Sequence, residues 1–383
     1  MGKTIEQATK HIWRGQWLDN FYALEKCPFC GDAWTLRFYG KHSYVWECKS
    51  CGRSGGIGEM LGMLKEQGKM RPELERLFDD VSAPDVPEGL IVLSTHRPRT
   101  NVKVLATGFH VIDQITGGLK EGALTILSGE QRHGKSTFAG QLALNAIQDG
   151  TKVGFYSGEL EADEFQRWVY GQCAGSQWMN PYVDRFGVTR YFVDDFAKSR
   201  IEQWLGDSFI LHDNSYMKSS EKNNILKSFV RMRRQYDCKL FFADNLMTMK
   251  NDSGTESGFW REQSKMVGEL IDFAQQENCH VILVAHPKKE KTDDYNKNVA
   301  GSQEVTQRAS FVMTVERLNS KLVELLYSKG ELKSRETTNV VHVSKNRIHG
   351  DEGMIEMAFE PKSKRLLELP DKKEIRYGWE DLC

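Results

Sequence analysis

The distribution of apolar and polar positions divides the chain at about residue 103. Beyond it, short continuous apolar runs end in polar residues: Ala123 to Leu127, then KVGFYSG, FILHD, CKLFFADN and HVILVAH. Such runs are strands buried on both faces, and amphipathic stretches such as Thr137 to Gln148, stopped by Asp149-Gly150, separate them. Strand and helix in alternation predict an α/β fold around a mainly parallel sheet. The stretch TNVVHVSKNRIHGDEGMIEMAFEP adds a strand, a tight turn and a returning strand.

Before residue 103 the pattern is different. His11, Trp13, Trp17, Phe21 and Tyr22 fall at roughly helical spacing, which predicts an arm with one aromatic face. WTLRFYG and YVWEC read as a hairpin, GRSGGIGEMLGMLKEQG as a glycine turn entering a short helix, and PELERLFDD as another helix ahead of a Pro-punctuated linker. The resulting division is a small domain with its arm at 1–66, a linker at 67–102, the α/β domain at 103–370 and a tail at 371–383. The tail, DKKEIRYGWEDLC, reads as a frayed end, with a docking tail for a polymerase as the alternative.

Composition narrows the classes. A hydrophobic content of 39%, a charged content of 27% and a mean hydropathy of -0.53 describe a soluble protein long enough for a large core. No run approaches the length of a membrane span and MGKTIEQATK lacks the apolar segment of a signal peptide, so a cytoplasmic location and no membrane partner are expected. The formal net charge of -1 supplies no global field for nucleic acid, which leaves such contacts to local loops.

Of eight cysteines, Cys173, Cys238, Cys279 and Cys383 are scattered, whereas Cys27-Pro-Phe-Cys30 and Cys48-Lys-Ser-Cys51 form two knuckles trailed by Gly31 and Gly52. Four thiolates at this spacing suit one tetrahedral Zn²⁺ in a closed, structural site, which makes the small domain a zinc ribbon. Trp34, Arg37, Phe38, Tyr39, Lys41, His42, Tyr44 and Trp46 would either stack on single-stranded nucleic acid or wrap the ribbon.

The sharpest chemistry lies at Gly129 to Ser136, GEQRHGKS, between a strand and a helix. It fits the G-x-x-x-x-G-K-[ST] phosphate loop: glycines let backbone N–H groups curl round phosphates, Lys135 brings a cation to them, and Ser136 offers a hydroxyl to Mg²⁺. Gly129, Gly134, Lys135, Ser136 and Thr137 form the expected nucleotide-binding set. Glu159 ends the next strand, where a carboxylate can orient an attacking water. Asp244 ends CKLFFADN as the expected second Mg²⁺ residue, and His286 closes HVILVAH, where its tip can sense the γ-phosphate. Two long polar segments follow these strand ends, Met247 to Trp260 and Pro287 to Gln303. Lys250, Lys288, Lys289 and the backbone at Gly301 and Ser302 are their candidate DNA contacts. Lys345 and Arg347 sit at the late turn, and an arginine supplied in trans is worth about 10³ to 10⁵ in phosphoryl-transfer rate.

Two resemblances carry the reading further. The pattern CxxCGxxGGxxxxL resembles the end of the zinc-binding domain of bacterial and phage primases, but only Arg71 to Thr100 separates it from the next fold, too short for a TOPRIM primase core, so no primer synthesis is expected. CHVILVAHPKKE, GSQEVTQRASFVMTVER and VSKNRIHGDEGMIEMAFEP resemble the Twinkle and DnaB-like hexameric replicative helicases, over about Lys103 to Leu369. That resemblance implies a RecA-like core, ATP at subunit interfaces, and a homohexameric ring that encircles single-stranded DNA and moves 5′ to 3′. It further implies Glu159 as catalytic base, Asp244 as the Walker B acid, His286 as sensor, Lys345 and Arg347 as trans-acting piston and finger, and Arg317 against the adenine. The zinc ribbon fused almost directly to the motor departs from the family pattern and leaves the role of the usual swapped linker helix to the short Pro72 to Asp80 segment or to part of the 1–26 arm. Two other readings compete. One is a RadA-like recombination ATPase, which shares four cysteines and a KNRxG motif but carries a Lon-protease-like domain after the core. The other is a binding protein on a core that does not cycle, against which the joint presence of Lys135, Glu159, Asp244 and Arg347 speaks.

Overall fold

The computed structural model describes residues 6, 9, 12–39, 45–74, 93, 104–214, 225–245, 256–286 and 303–382. They fall into two compact units, Met1–Thr100 and Asn101–Cys383.

The N-terminal unit is a five-stranded antiparallel sheet in sequential order, β1 (Gly15–Leu18), β2 (Phe21–Leu24), β3 (Leu36–Tyr39), β4 (Val45–Cys48) and β5 (Ser54–Gly55), followed by helix α1 (Ile57–Glu66). The expected helical arm is instead the hairpin β1–β2. Asp19 takes the left-handed conformation (φ 51°) in the turn, and Trp17 and Tyr22 meet as cross-strand partners rather than along one helix face. The hairpin β3–β4 lies where WTLRFYG and YVWEC place it. Period-two alternation turns Phe38 and Trp46 inward, both fully buried with Tyr22, Leu36, Met60 and Leu64, so neither is available for stacking. Trp34, Arg37 and Tyr39 remain at the surface or partly exposed. Lys41, His42 and Tyr44, like all but the first three residues of PELERLFDD, lie outside the described residues.

The second unit is built on a nine-stranded sheet. Its described elements are β6 (Val104–Leu105), α2 (His110–Thr116), β7 (Leu119–Lys120), β8 (Ala123–Ser128), α3 (Lys135–Gln148), β9 (Val153–Ser157), α4 (Ala162–Ala174), β10 (Met179–Val183), β11 (Thr189–Val193), α5 (Asp195–Leu205) and β12 (Phe209–Leu211). They continue with α6 (Ile225–Tyr236), β13 (Leu240–Asp244), α7 (Glu256–Glu277), β14 (His280–Val284), α8 (Gln303–Arg308), β15 (Phe311–Arg317), α9 (Ser320–Ser328), β16 (Asn339–Asn346), β17 (Gly353–Glu360) and β18 (Arg365–Glu368).

The order across the large sheet is β12-β9-β13-β14-β8-β15-β16-β17-β18. The first six strands are parallel and the last three antiparallel. All residues of β8, β9, β13 and β14 are buried, because one apolar cluster covers each face of the sheet. The mixed sheet, parallel where the phosphate loop sits, agrees with the expected class.

Three expectations need amendment. The segment expected to be a loop as far as Trp260 is already helical from Glu256, in α7, and the one expected to reach Gln303 gives way there to α8. The C-terminal segment is not frayed: Tyr377 and Trp379 are fully buried, and the Trp379 indole N–H donates to the Cys173 carbonyl at 3.0 Å. Arg365, 2% exposed, explains why: its guanidinium donates to the carbonyls of Gln172, Cys173 and Ile375 and lies 4.9 Å from the Tyr377 ring centre. Among the described residues no helix is long and apolar enough to cross a membrane.

Candidate nucleotide site and cysteine centre

The parallel strands end at one edge of the sheet, where β8 hands the chain to the phosphate loop. Gly129 (φ 149°) has no room for a side chain, since a Cβ would lie 2.3 Å from the Val315 carbonyl oxygen, and Gly134 (φ 97°) sits at the N-cap of α3. The Asn339 amide donates to the His133 carbonyl at 3.0 Å and ties the loop to β16.

Gln131, Arg132, Gly134, Lys135, Ser136 and Thr137 line a cavity of about 480 Å³ with Glu159, Asp244, Asn245 and His286. The loop, two strand-end carboxylates and the strand-end histidine, separated by up to 155 residues in sequence, therefore share one chamber. Lys135 is buried, and its Nζ donates to the carbonyls of Gly129 (2.8 Å) and Glu130 (2.9 Å). Burial lowers its pKa, opposed by the charges of Asp244, Glu159 and Glu130.

Asp244 is pushed up to about 6, chiefly by burial and further by Glu159, while a hydrogen bond from Ser136 and the charge of Lys135 pull it down. A carboxyl with a raised pKa favours the folded state most at low pH and loses that advantage as pH rises through about 6. A divalent cation needs the carboxylate and must displace the proton. Mg²⁺ affinity of the nucleotide-free protein is therefore expected to fall about tenfold per pH unit below about pH 6, with proton release on binding. Calorimetric titration in buffers of differing ionisation enthalpy measures both, and Asp244→Asn should remove the dependence.

Asn245 lies between the other two polar tips. Its amide nitrogen donates to Glu159 Oε1 and stands 3.1 Å from His286 Nε2, which is itself 3.7 Å from that oxygen. Burial, and then Lys135, lower the His286 pKa against the opposing pull of Glu159, which favours the neutral ring that can accept from the amide. Sequence reasoning passes over Asn245 and Arg132. An amide directly after a strand-end aspartate, and an arginine inside the loop itself, were the available signals.

Lys345 and Arg347 are not in this chamber. β15 runs parallel to β8, with Thr314 beside Ser128, and antiparallel to β16, whose Asn339 faces Arg317 and whose Asn346 faces Phe311. Lys345 and Arg347 therefore emerge at the opposite edge of the sheet, about 20 Å along the strand from the loop that Asn339 holds. There Lys345 Nζ donates to the carbonyls of Thr306 (2.6 Å) and Gln307 (3.0 Å), and the Arg347 guanidinium also donates to Gln307. Cations at the carboxyl end of α8 satisfy carbonyls that the helix leaves open. Arg317 ends β15 on the phosphate-loop side and is exposed. Lys250, Lys288, Lys289, Gly301 and Ser302 lie outside the described residues.

In the N-terminal unit the sulfur atoms of Cys27, Cys30, Cys48 and Cys51 all lie within 4.8 Å of one another, with Cys30 and Cys48 at 3.8 Å. Ligands about 2.3 Å from a tetrahedral Zn²⁺ would be about 3.8 Å apart, so the donor set fits that ion. Burial opposes ionisation at Cys48, but the hydrogen bond it accepts from the Cys51 backbone N–H and its hydrogen bond with the Thr35 hydroxyl outweigh it and bring the thiol to about 6.

A phosphate loop on a mixed, mainly parallel sheet, with carboxylates at the ends of neighbouring strands, defines a RecA-like P-loop ATPase fold. Residues 104–368 match the DnaB-like helicase C terminal domain, and the chain belongs to that family. It is similar to the replicative DNA helicase DnaB of Helicobacter pylori, 20% identical over 293 residues that make up 70% of this chain and 57% of that protein. The chain thus spans little more than half the length of that curated relative. Among solved structures it is similar to a DnaB-like replicative helicase described with its primase interactions (TM-score 0.54, 15% identity, 82% of this chain and 75% of that one). It is similar also to the ATPase domain of G40P (TM-score 0.53, 16% identity, 83% of this chain and all of that one). At such identities these likenesses speak to the fold.

Proposed function

We propose that the protein is an ATP-driven replicative DNA helicase that assembles as a homohexameric ring and translocates 5′ to 3′ on single-stranded DNA. One observation carries the reading: the chamber has a phosphate loop, a metal-site aspartate and a candidate base, while Lys345 and Arg347 lie at the far edge of the same sheet. Each site is complete only when a second copy brings that edge to it.

In this reading Lys135 and the loop amides hold the phosphates, and Ser136 and Asp244 hold Mg²⁺, which neutralises charge on the β- and γ-phosphate oxygens when bound. Glu159 orients the attacking water, His286 senses the γ-phosphate, and Arg317 contacts the adenine. Lys345 and Arg347 of a neighbouring copy stabilise the charge that develops on the transferring phosphoryl. Residues 247–255 and 287–302, with Lys250, Lys288, Lys289, Gly301 and Ser302, hold the DNA. The four cysteines bind one structural Zn²⁺, and the ribbon guides DNA or contacts a replisome partner such as a polymerase. We place the protein in the cytoplasm.

The test is phosphate release with and without single-stranded DNA, alongside unwinding of forked duplexes of either polarity. DNA-stimulated hydrolysis with unwinding from a 5′ tail is the expected result, and hydrolysis indifferent to DNA overturns the reading. The zinc assignment has its own test. One zinc per chain is expected by atomic absorption, and Cys48→Ser or chelation should expose residues 15–74 of the full chain to protease, because the small core depends on about 10 kcal/mol or more from the metal. Hydrolysis by the second unit should survive that treatment.

A further inference from the structure

The hairpin β10–β11 has no counterpart among the expected elements. Its inner face joins the nucleotide chamber: Met179 and Tyr191 line a groove shared with Ser136, Glu159 and Asp244. Its outer face carries Tyr182 and Phe192, both nearly half exposed, with ring centres 5.9 Å apart. The tip is built rather than slack. Asp184 Oδ1 accepts from the backbone N–H groups of Phe186 and Val188, both at 2.9 Å, and Gly187 (φ 78°) closes the turn. This holds Phe186 outward at 74% exposure, with the Arg185 guanidinium 4.7 Å from its ring centre. A fixed, exposed aromatic cluster of this kind marks an interaction surface.

A second pinned turn lies at the opposite edge of the sheet, beside Arg347. Asn346 Oδ1 accepts from the N–H groups of Ile348 (3.2 Å) and His349 (3.1 Å), while the Asn346 amide donates to the Ile115 carbonyl at 2.8 Å. This turn and the start of β17 expose Ile348 and Met354, with Asp351 and Glu352 also exposed between them. One patch is therefore aromatic with Arg185, its Arg190 already paired with Asp184, and the other is aliphatic with Asp351 and Glu352 beside the exposed His349. The first borders the chamber, whose lining includes Arg132 but neither Lys345 nor Arg347, and the second borders those two residues.

We propose that the β10–β11 hairpin is an intersubunit clasp, whose outer face and tip pack on the Ile348–Met354 turn of a second copy of this chain, with Arg185 facing Asp351 and Glu352. The proposal rests on the trans-site reading above. Two different patches on opposite edges make a head-to-tail contact, the type that closes into rings. The clasp seats the neighbour's Arg347 beside Glu159, so that assembly and completion of the site are one event.

Two sets of variants in the full chain, with a non-hydrolysable ATP analogue and single-stranded DNA, test the clasp by mass measurement over a range of protein concentrations. Tyr182→Ser, Phe186→Ser and Phe192→Ser together should raise the concentration needed for assembly at least about tenfold. Arg185→Glu alone should weaken assembly, and adding Asp351→Lys and Glu352→Lys to it should restore assembly, which a folding defect would not do. A photo-crosslinking residue at position 186 should capture a peptide containing residues 347–354 of another copy. Assembly of the triple variant at the wild-type concentration overturns the clasp while leaving the trans site standing, even if that variant unwinds poorly, since the hairpin would then serve DNA. A wild-type chain that stays monomeric under these conditions overturns both.

Discussion

Lys135→Ala is expected to lower ATP turnover by at least about 10²- to 10³-fold, the usual cost of removing one preorganised contact to developing charge. Lys135 Nζ sits in the chamber within reach of the Gly129 and Glu130 carbonyls, and its charge is balanced by Asp244, Glu159 and Glu130. Phosphates entering the loop offer stronger, charged acceptors and draw the ammonium onto themselves. Alanine leaves the loop amides in place, so nucleotide binding should weaken less than turnover. It also removes the cation that opposes the burial of Asp244, whose carboxyl should then titrate higher than in the wild type. Phosphate release, nucleotide titration and thermal unfolding, measured together, separate these effects. Turnover close to wild type would move the chemistry away from this chamber.

Arg347→Ala should cost about 10³ to 10⁵ in DNA-stimulated turnover, the range for loss of an arginine finger. More telling is the mixture. Neither Lys135→Ala nor Arg347→Ala alone should hydrolyse ATP appreciably, yet equal amounts of the two should regain activity. An interface that joins the intact loop of one copy to the intact finger of the other forms in about one quarter of random pairings. Recovery of up to that fraction is the expected result. No recovery, in rings shown by mass to be mixed, would mean that Arg347 serves its own chain or none. The strand register argues against service to its own chain, because Asn339 at one end of β16 holds the loop and Asn346 stands at the other end.

Where the sequence was legible, it was so because local chemistry and local pattern agreed. Continuous apolar runs mark β8, β9, β13 and β14 because both sheet faces are covered, and the strand ends then carry Glu159, Asp244 and His286 to one edge. The cysteine knuckles converge because their spacing leaves little choice. Failures came where tertiary contacts decide. Trp17 and Tyr22 obey helical spacing, but a turn at Asp19 sets them across a hairpin. Trp379 reads in sequence as part of a loose end, and its place in the core depends on Arg365 and on the carbonyl of Cys173, a residue 206 positions away. Phe38 and Trp46 are aromatic and near cations, which suits stacking, yet the pleat turns both inward. Asn245 could be assigned no role until Glu159 and His286 stood on either side of it.

The helix α8 has a consequence for timing. Its C-terminal carbonyls hold Lys345 and Arg347, and the stretch 287–302 that leads into it begins directly after His286. On the proposed reading, one continuous piece of chain joins the candidate phosphate sensor of one site, His286, to the cation pair assigned to the next. If the proposed ring forms, hydrolysis at one site and readiness of the next would share this length of backbone, much as an escapement links one tooth to the following one.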